Sequence, residues 1–192
     1  MRTVFFDIDT QIDFVYPAGA LYAPGAETIL SAVERLNRHA ASHGIPVIST
    51  TDAHTENDPE FRTWPHHCVE GTLGQRKPQA TLLNSQLVIP SIAGDYRVSA
   101  VPQVILQKQR LDCFSNPNLP RLLEQLDAER YVVYGVVTEF CVRCAALGLL
   151  GTGRRVELVT DAVRSLSDSD ARRTFEEFTS GGGVLATLSQ VW

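Results

Sequence analysis

Cys141 stands at a point where a strand pattern changes directly into a helix pattern. The apolar run Tyr131–Val137 predicts a buried strand, and an apolar-periodic segment follows at once, with Thr138 as the expected helix N-cap. Free backbone N–H groups and the helix dipole at such an N-terminus favour a thiolate over a thiol. The position therefore predicts a nucleophilic cysteine, although a free cysteine in a helix is more often simply buried.

Two charged residues at the ends of other apolar runs could assist such a thiol. Asp9 follows the run Thr3–Ile8, and Lys108 follows the run Gln103–Leu106. A carboxylate beside the thiol could act as a general base and return the proton to a leaving group. A lysine beside both groups would hold them charged and stabilise negative charge that develops during attack. Taken singly, each could also be an ordinary loop carboxylate or an exposed strand-end lysine.

A second group of residues could bind a divalent metal ion. Asp52 and His54 form an Asp-x-His pair, and their side chains share one side of an extended segment. One further histidine, His66 or His67, would complete an oxygen–nitrogen ligand set that suits Zn²⁺, Fe²⁺ or Mn²⁺ with open positions. Adjacent histidines in an extended segment point in opposite directions, so only one of the two should bind. The spacing alone equally fits scattered loop histidines.

The segment Cys141-Val142-Arg143-Cys144 also matches C-x-x-C at a helix start, the arrangement of thiol–disulfide oxidoreductases. This redox function is the main rival hypothesis. It requires neither Asp9 nor Lys108, and Cys144 also fits as a helix residue that packs against the sheet.

Elements that could position these residues alternate along the chain. Six β-rich apolar runs cover Thr3–Ile8, Pro46–Thr51, Gln103–Leu106, Tyr131–Val137, Val156–Thr160 and Gly183–Leu188. Helix patterns cover Ala26–His43, Leu119–Leu126, Glu139–Leu150 and Asp168–Phe178. The alternation predicts an α/β fold, a three-layer α/β/α arrangement around a six-stranded, mostly parallel sheet. Ligands bind beyond the carboxyl ends of such strands, where the charged residues above also fall. The long, weakly periodic segment Ala53–Ala100 is expected to carry function.

Composition narrows the class of protein. The length of 192 residues suits one domain, residues 1–192. A formal net charge of −5 without any basic stretch argues against a nucleic-acid partner. No apolar stretch approaches the length of a membrane span, and a signal peptide is not expected. Four cysteines do not suggest a disulfide scaffold, so a cytoplasmic protein with reduced thiols is expected.

Taken together, these elements resemble the nicotinamidase/pyrazinamidase family within the isochorismatase-like cysteine hydrolase superfamily. The matching motifs appear in the family's order and span nearly the whole chain. They are Asp9-x-Gln11-x-Asp13-Phe14, Asp52-x-His54, Trp64-Pro65-x-His67-Cys68-Val69-x-Gly71-Thr72, Lys108 and Gly135-Val136-Val137-Thr138-x-x-Cys141-Val142. The Trp-Pro-x-His-Cys-Val segment is the most specific, because simple isochorismatases generally lack it.

The resemblance implies an isochorismatase-like, Rossmann-like fold and an amidohydrolase that converts nicotinamide or pyrazinamide to the acid and ammonia through a cysteine thioester. It implies a catalytic triad of Asp9, Lys108 and Cys141. It also implies an oxyanion hole formed by the backbone N–H groups of Val137 and Cys141, with a cis peptide bond between Val136 and Val137.

The resemblance further implies one divalent metal ion, zinc, iron or manganese, bound by Asp52, His54 and His67. Glu60 is the best candidate for a fourth protein ligand. Aromatic rings at two further positions, Phe14 and Trp64, would sandwich a pyridine ring. A homo-oligomer is also implied.

Two regions depart from the family pattern and leave the exact amide open. Gln109, Arg110, Asp112 and Cys113 occupy a stretch that is often small and rich in Gly or Ser, and an unfamiliar segment covers Gln79–Ser99. Both could reshape the pocket, so another small carboxamide or a ureide is the alternative substrate.

Overall fold

A parallel sheet forms the centre of the computed structural model, which describes residues 1–98 and 101–192. Within these residues seven strands pair in the order β3-β4-β2-β1-β5-β6-β7, and every pair is parallel. The strands are β1 (Thr3–Ile8), β2 (Val47–Asp52), β3 (Gln86–Ile89), β4 (Gln103–Lys108), β5 (Arg130–Val136), β6 (Arg155–Arg164) and β7 (Val184–Ala186). The predicted parallel α/β class is therefore confirmed.

The predicted count of six strands is wrong by one, because β3 lies inside the unfamiliar segment Gln79–Ser99. This strand forms one edge of the sheet and contacts only β4, so its side chains are mostly exposed or half-buried. Its apolar run is only three residues long, Leu87-Val88-Ile89, and is followed by Pro90, so the strand signal in the sequence is weak there. Ser99 and Ala100, at the end of the predicted long loop, lie outside the described residues.

Helices cover both faces of the sheet. They are α1 (Ile12–Val15), α2 (Leu30–Ser42), α3 (Leu119–Leu126), α4 (Arg143–Leu150) and α5 (Asp168–Ser180). Alternate residues of β1 enter two separate cores: Phe6 packs with α3, α4 and α5, whereas Phe5 packs with α2. This period of two produces the predicted three layers. None of the helices in the described parts of the chain is long and apolar enough to cross a membrane.

Several element boundaries differ from the predicted ones. The first turn of the predicted helix Ala26–His43 is a 3₁₀ turn, Ala26–Ile29, and α2 begins only at Leu30. Both β2 and β4 extend further than predicted, so Asp52 and Lys108 are the last residues of their strands.

The turn after β5 is a π-helical turn, Thr138–Val142, that leads into α4. Val137 occupies the N-cap position and Thr138 lies inside the turn, so the predicted capping role of Thr138 is wrong. The wider ring is closed by the N–H of Val142, which donates to the Val137 carbonyl at 3.2 Å. Such π-turns occur often at functional sites.

Candidate active site

Asp9, Lys108 and Cys141, predicted to act together, lie together at the carboxyl edge of the sheet. The Lys108 Nζ atom lies 2.8 Å from Asp9 Oδ2 and 3.4 Å from Cys141 Sγ. All three residues are buried. A carboxylate oxygen of Asp9 also lies within 4.8 Å of the sulfur. The arrangement places a base, a cation and a nucleophile in mutual contact.

The backbone turns directly after β1, and this turn places Asp9 and Asp7 in different environments. The strand ends at Ile8, and Asp9 has a φ angle of 47°, a left-handed conformation that Asp tolerates better than most residues. Asp9 Oδ1 accepts a hydrogen bond from the Thr50 hydroxyl at 2.6 Å. Asp7 forms an ion pair with Lys77 at 3.0 Å instead. The strand does not continue far enough for the two carboxylates to share one environment.

A contact between Lys108 and Asp52 was not expected from the sequence. The two residues are direct partners in the register of β2 and β4, and Nζ lies 2.5 Å from Asp52 Oδ1. Burial alone would lower the pKa of Lys108, but the carboxylates of Asp52 and Asp9 raise it well above its ordinary value. The lysine is therefore a fixed cation between two carboxylates.

Burial dominates the titration of the thiol. It raises the pKa of Cys141 well above its ordinary value, Lys108 opposes this rise, and Asp9 and Asp52 add to it. The predicted preference for thiolate at a helix N-terminus is thus outweighed by desolvation. Burial likewise raises the pKa of Asp52 to about 6, against the lowering effect of Lys108.

Asp52, His54 and His67 converge on one point, as predicted for a metal site. One ligand atom from each lies within 4.8 Å of the others, and all three residues are buried. His54 Nε2 lies 3.9 Å from Asp52 Oδ2 and has no hydrogen-bond partner among the residues that the structure describes. A buried imidazole nitrogen without a partner, beside a carboxylate and a second imidazole, fits a divalent metal ion.

His66 and His67 differ in burial and in their contacts. His67 is buried, and its Nδ1 lies 2.7 Å from the Pro65 carbonyl, which leaves Nε2 free to bind a metal. His66 is exposed and stacks on Phe61 with ring centroids 4.2 Å apart. Glu60 Oε1 lies 3.9 Å from His67 Nε2, so this carboxylate is within reach of the same point.

One cavity is lined by residues of both groups. Its described lining is Asp9, Phe14, Leu21, Asp52, Glu60, Trp64, His67, Leu111, Val136, Val137, Phe140, Cys141 and Leu166. Phe14 and Trp64, the two residues predicted to sandwich a pyridine ring, both line it, and Trp64 also contacts Phe140 edge to face, with centroids 5.5 Å apart. Leu21, Leu111 and Leu166 gave no functional signal in the sequence, because apolar lining residues look like core residues.

The peptide bond between Val136 and Val137 is cis, as predicted. Val137 and Cys141 both line the cavity. Their backbone N–H groups remain the predicted oxyanion donors.

The C-x-x-C segment does not form a disulfide in this structure. Cys141 and Cys144 are both free, and Cys144 is half-buried on α4. The Cys141 sulfur contacts Lys108 Nζ at 3.4 Å, a contact that a redox function does not require.

A parallel sheet that gathers a buried cysteine, lysine and aspartate at its carboxyl edge defines the isochorismatase-like class of α/β proteins. The chain belongs to the Isochorismatase domain family, whose profile matches residues 3–190.

Three relatives illustrate the similarity. The chain is 28% identical to the pyrazinamidase of Pyrococcus horikoshii, whose crystal structure in complex with zinc superimposes with a TM-score of 0.81 over 97% of this chain and 99% of that one. The nicotinamidase of Escherichia coli (strain K12) is 25% identical over 205 residues, 95% of this chain and 93% of the relative. An N-carbamoylsarcosine amidase of Arthrobacter sp is 26% identical over 160 residues, 80% of this chain and 56% of the relative.

Proposed function

We propose that this protein is a cysteine amidohydrolase that converts nicotinamide, or a close aromatic amide such as pyrazinamide, to the carboxylic acid and ammonia. One observation carries the proposal: a buried Asp9–Lys108–Cys141 cluster and a metal-ligand set lie at the floor of the same cavity. Similarity to a pyrazinamidase and a nicotinamidase over nearly the whole chain supports the same reaction.

In the first half of the reaction, Asp9 accepts the thiol proton and Cys141 Sγ attacks the amide carbonyl. A carbon–sulfur bond forms, and the backbone N–H groups of Val137 and Cys141 stabilise the oxyanion. Loss of one such donor typically costs about 10²–10³ in rate. Asp9 then gives its proton to the departing nitrogen, which leaves as ammonia.

In the second half, a water molecule hydrolyses the thioester. Asp9 removes a proton from the water, the resulting hydroxide attacks the carbonyl, and the carbon–sulfur bond breaks. The nicotinate product leaves, and the sulfur recovers its proton. Lys108 stays charged throughout and stabilises both the Asp9 carboxylate and the thiolate.

Asp52, His54 and His67 would hold the metal ion, with Glu60 as a fourth ligand. A bound divalent ion would orient the ring nitrogen of the substrate and would not activate the attacking group. We propose zinc as the ion, with iron or manganese as alternatives, because the donor set is two imidazoles and carboxylates. The zinc complex of the Pyrococcus relative supports this choice.

The cavity wall favours an uncharged ring over a charged substrate. The lining includes three leucines, Leu21, Leu111 and Leu166, in addition to aromatic residues. The ionisable residues of the described lining include three carboxylates and no lysine or arginine. N-carbamoylsarcosine carries a carboxylate, for which the described lining provides no lysine or arginine beside the proposed metal ion, and this supports nicotinamide as the substrate.

The proposed setting is the cytoplasm, because the four cysteines are free thiols. The family resemblance also supports a homo-oligomer, which light scattering during size-exclusion chromatography would measure.

Ammonia release from nicotinamide, pyrazinamide and N-carbamoylsarcosine tests the proposal. The wild type should hydrolyse the two aromatic amides, Cys141→Ala should be inactive, and His67→Ala should lose both metal and most activity. His66→Ala is the matched control and should retain both, because His66 is exposed beside the site. Undiminished activity in Cys141→Ala would refute the proposed mechanism, and a preference for N-carbamoylsarcosine would refute the proposed substrate.

A further inference from the structure

We propose that Asp58 is a positioning residue that holds two of the metal ligands at once. The inference rests on the metal site of the proposed function. It assigns a role to a residue that neither the motifs nor the cavity lining singled out.

Each oxygen of the Asp58 carboxylate has its own partner. Oδ2 lies 3.0 Å from His54 Nδ1, an ion-pair distance at which the two groups are not aligned as a hydrogen bond in this structure. Oδ1 accepts a hydrogen bond from the Glu60 backbone N–H at 2.9 Å. The side chain is only 10% exposed, so water competes little with either contact.

The carboxylate beside His54 favours the tautomer with the proton on Nδ1. A carboxylate can only accept, so a bond between the two groups has Nδ1 as its donor, and the lone pair of Nε2 is then available on the side that faces Asp52. This is the usual relationship between a metal-binding histidine and a neighbouring carboxylate. For His67, the Pro65 carbonyl is the acceptor next to Nδ1, so the orientation of this ring does not depend on Asp58.

The contact with Glu60 positions the opposite side of the site. Asp58 is the N-cap of the 3₁₀ turn Pro59–Arg62, and the capping bond places Glu60 where its carboxylate reaches toward His67. The Glu60 carbonyl in turn accepts from the Trp64 N–H at 3.1 Å, so the same turn also leads to the aromatic wall. The Asp58 carboxylate therefore contacts both His54 and the backbone of Glu60, which lie on opposite sides of the proposed metal position.

An ordinary capping role is the competing explanation, and one substitution separates the two. In Asp58→Asn the amide oxygen still caps Glu60, but the amide NH₂ now faces His54 Nδ1 and donates to it. The imidazole then carries its proton on Nε2, which blocks the ligand atom. Asp58→Ser keeps a capping oxygen and lacks the reach to His54.

Asp112 provides a matched control. It caps the 3₁₀ turn Cys113–Ser115 through an equivalent bond, in which Oδ1 accepts from the Phe114 N–H at 2.9 Å. Asp112→Asn therefore makes the same chemical change in the same local motif, away from the metal ligands.

The experiment measures Zn²⁺ affinity of the metal-free full chain by competition with a chromophoric chelator, together with the visible spectrum of the Co²⁺ form. Asp58→Asn and Asp58→Ser should bind zinc about 10–100-fold more weakly than wild type and change the Co²⁺ spectrum. Asp112→Asn should match wild type within about threefold, and circular dichroism should show all variants folded.

Zinc affinity within threefold of wild type in both Asp58 variants, with an unchanged Co²⁺ spectrum, would overturn the inference and leave the proposed reaction standing. Failure of a zinc-binding wild type to hydrolyse nicotinamide would instead remove the proposed function and leave the role of Asp58 intact. A wild type that does not bind zinc or Co²⁺ would overturn the inference.

Discussion

Asp52 lies between the thiol group and the metal-ligand group and contacts both. Its Oδ1 lies 2.5 Å from Lys108 Nζ, and its Oδ2 lies 3.9 Å from His54 Nε2. The contact with Lys108 follows from the register of β2 and β4, in which the two residues are direct neighbours. The two groups are therefore one electrostatic unit, with Asp52 as the shared member.

Loss of the central cation should destabilise the whole unit. Lys108→Met leaves Asp9 and Asp52 buried without a counter-ion, and breaking a buried pair in this way costs about 3–5 kcal/mol. The free energy of unfolding, measured in urea on the metal-free chain, should fall by that amount. The double variant Lys108→Met/Asp9→Asn should lose less than the sum of the single variants, because one orphaned charge is removed. A loss below about 1 kcal/mol in Lys108→Met would contradict the buried-pair account.

The second cysteine should be dispensable. Cys144 is half-buried and the nucleophile contacts Lys108 instead of a second sulfur, so Cys144→Ser should keep nicotinamide hydrolysis within about threefold of wild type. A disulfide mechanism requires both thiols. Loss of activity in Cys144→Ser, with the fold retained, would restore the redox hypothesis.

The edge of the cavity should control selectivity between neutral and anionic amides. Leu111→Lys places a cation beside a lining that otherwise carries carboxylates. An exposed ion pair contributes at most about 1 kcal/mol, so kcat/KM for N-carbamoylsarcosine relative to nicotinamide should rise roughly 3–5-fold. High salt should diminish the effect. Leu73→Lys, at an exposed position outside the described lining, is the control and should leave the ratio unchanged.

A second buried ion pair should matter for stability. Asp7 and Lys77 lie 3.0 Å apart and are both buried, and Lys77 Nζ also donates to the Thr10 hydroxyl at 2.6 Å. Lys77→Met should lower the free energy of unfolding by about 3–5 kcal/mol. Arg121→Met, which breaks an exposed pair with Asp95, should cost less than about 1 kcal/mol. Equal effects of the two substitutions would show that burial does not determine the contribution of these pairs.

The grouping of the charged and nucleophilic residues could be predicted from the sequence because these residues follow the predicted strands. Asp9, Asp52, Lys108 and Cys141 each lie at or shortly after the end of an apolar run, and parallel strands bring their carboxyl ends to one edge. Motif resemblance then selected His67 over its neighbour, and the structure buries His67 and exposes His66.

What the sequence could not predict depends on register and on desolvation. The pairing of Asp52 with Lys108 requires the exact alignment of β2 with β4, which no local pattern encodes. The raised pKa of Cys141 reflects how completely the thiol is buried, whereas its position at a turn indicated the opposite direction. The edge strand β3 has an apolar run of only three residues, Leu87-Val88-Ile89, which is too short to identify a strand by pattern alone.

The central position of β1 in the sheet determines when the active site can assemble during synthesis of the chain. This strand is translated before the other six described strands, yet its two neighbours are β2 and β5, and β5 ends only at Val136. Asp9 can therefore meet Cys141 only after β5 and the turn that follows it have been translated, and pairing across such long sequence separations is slow. A nascent chain that stops before β5 should contain the metal ligands and the base but no nucleophile.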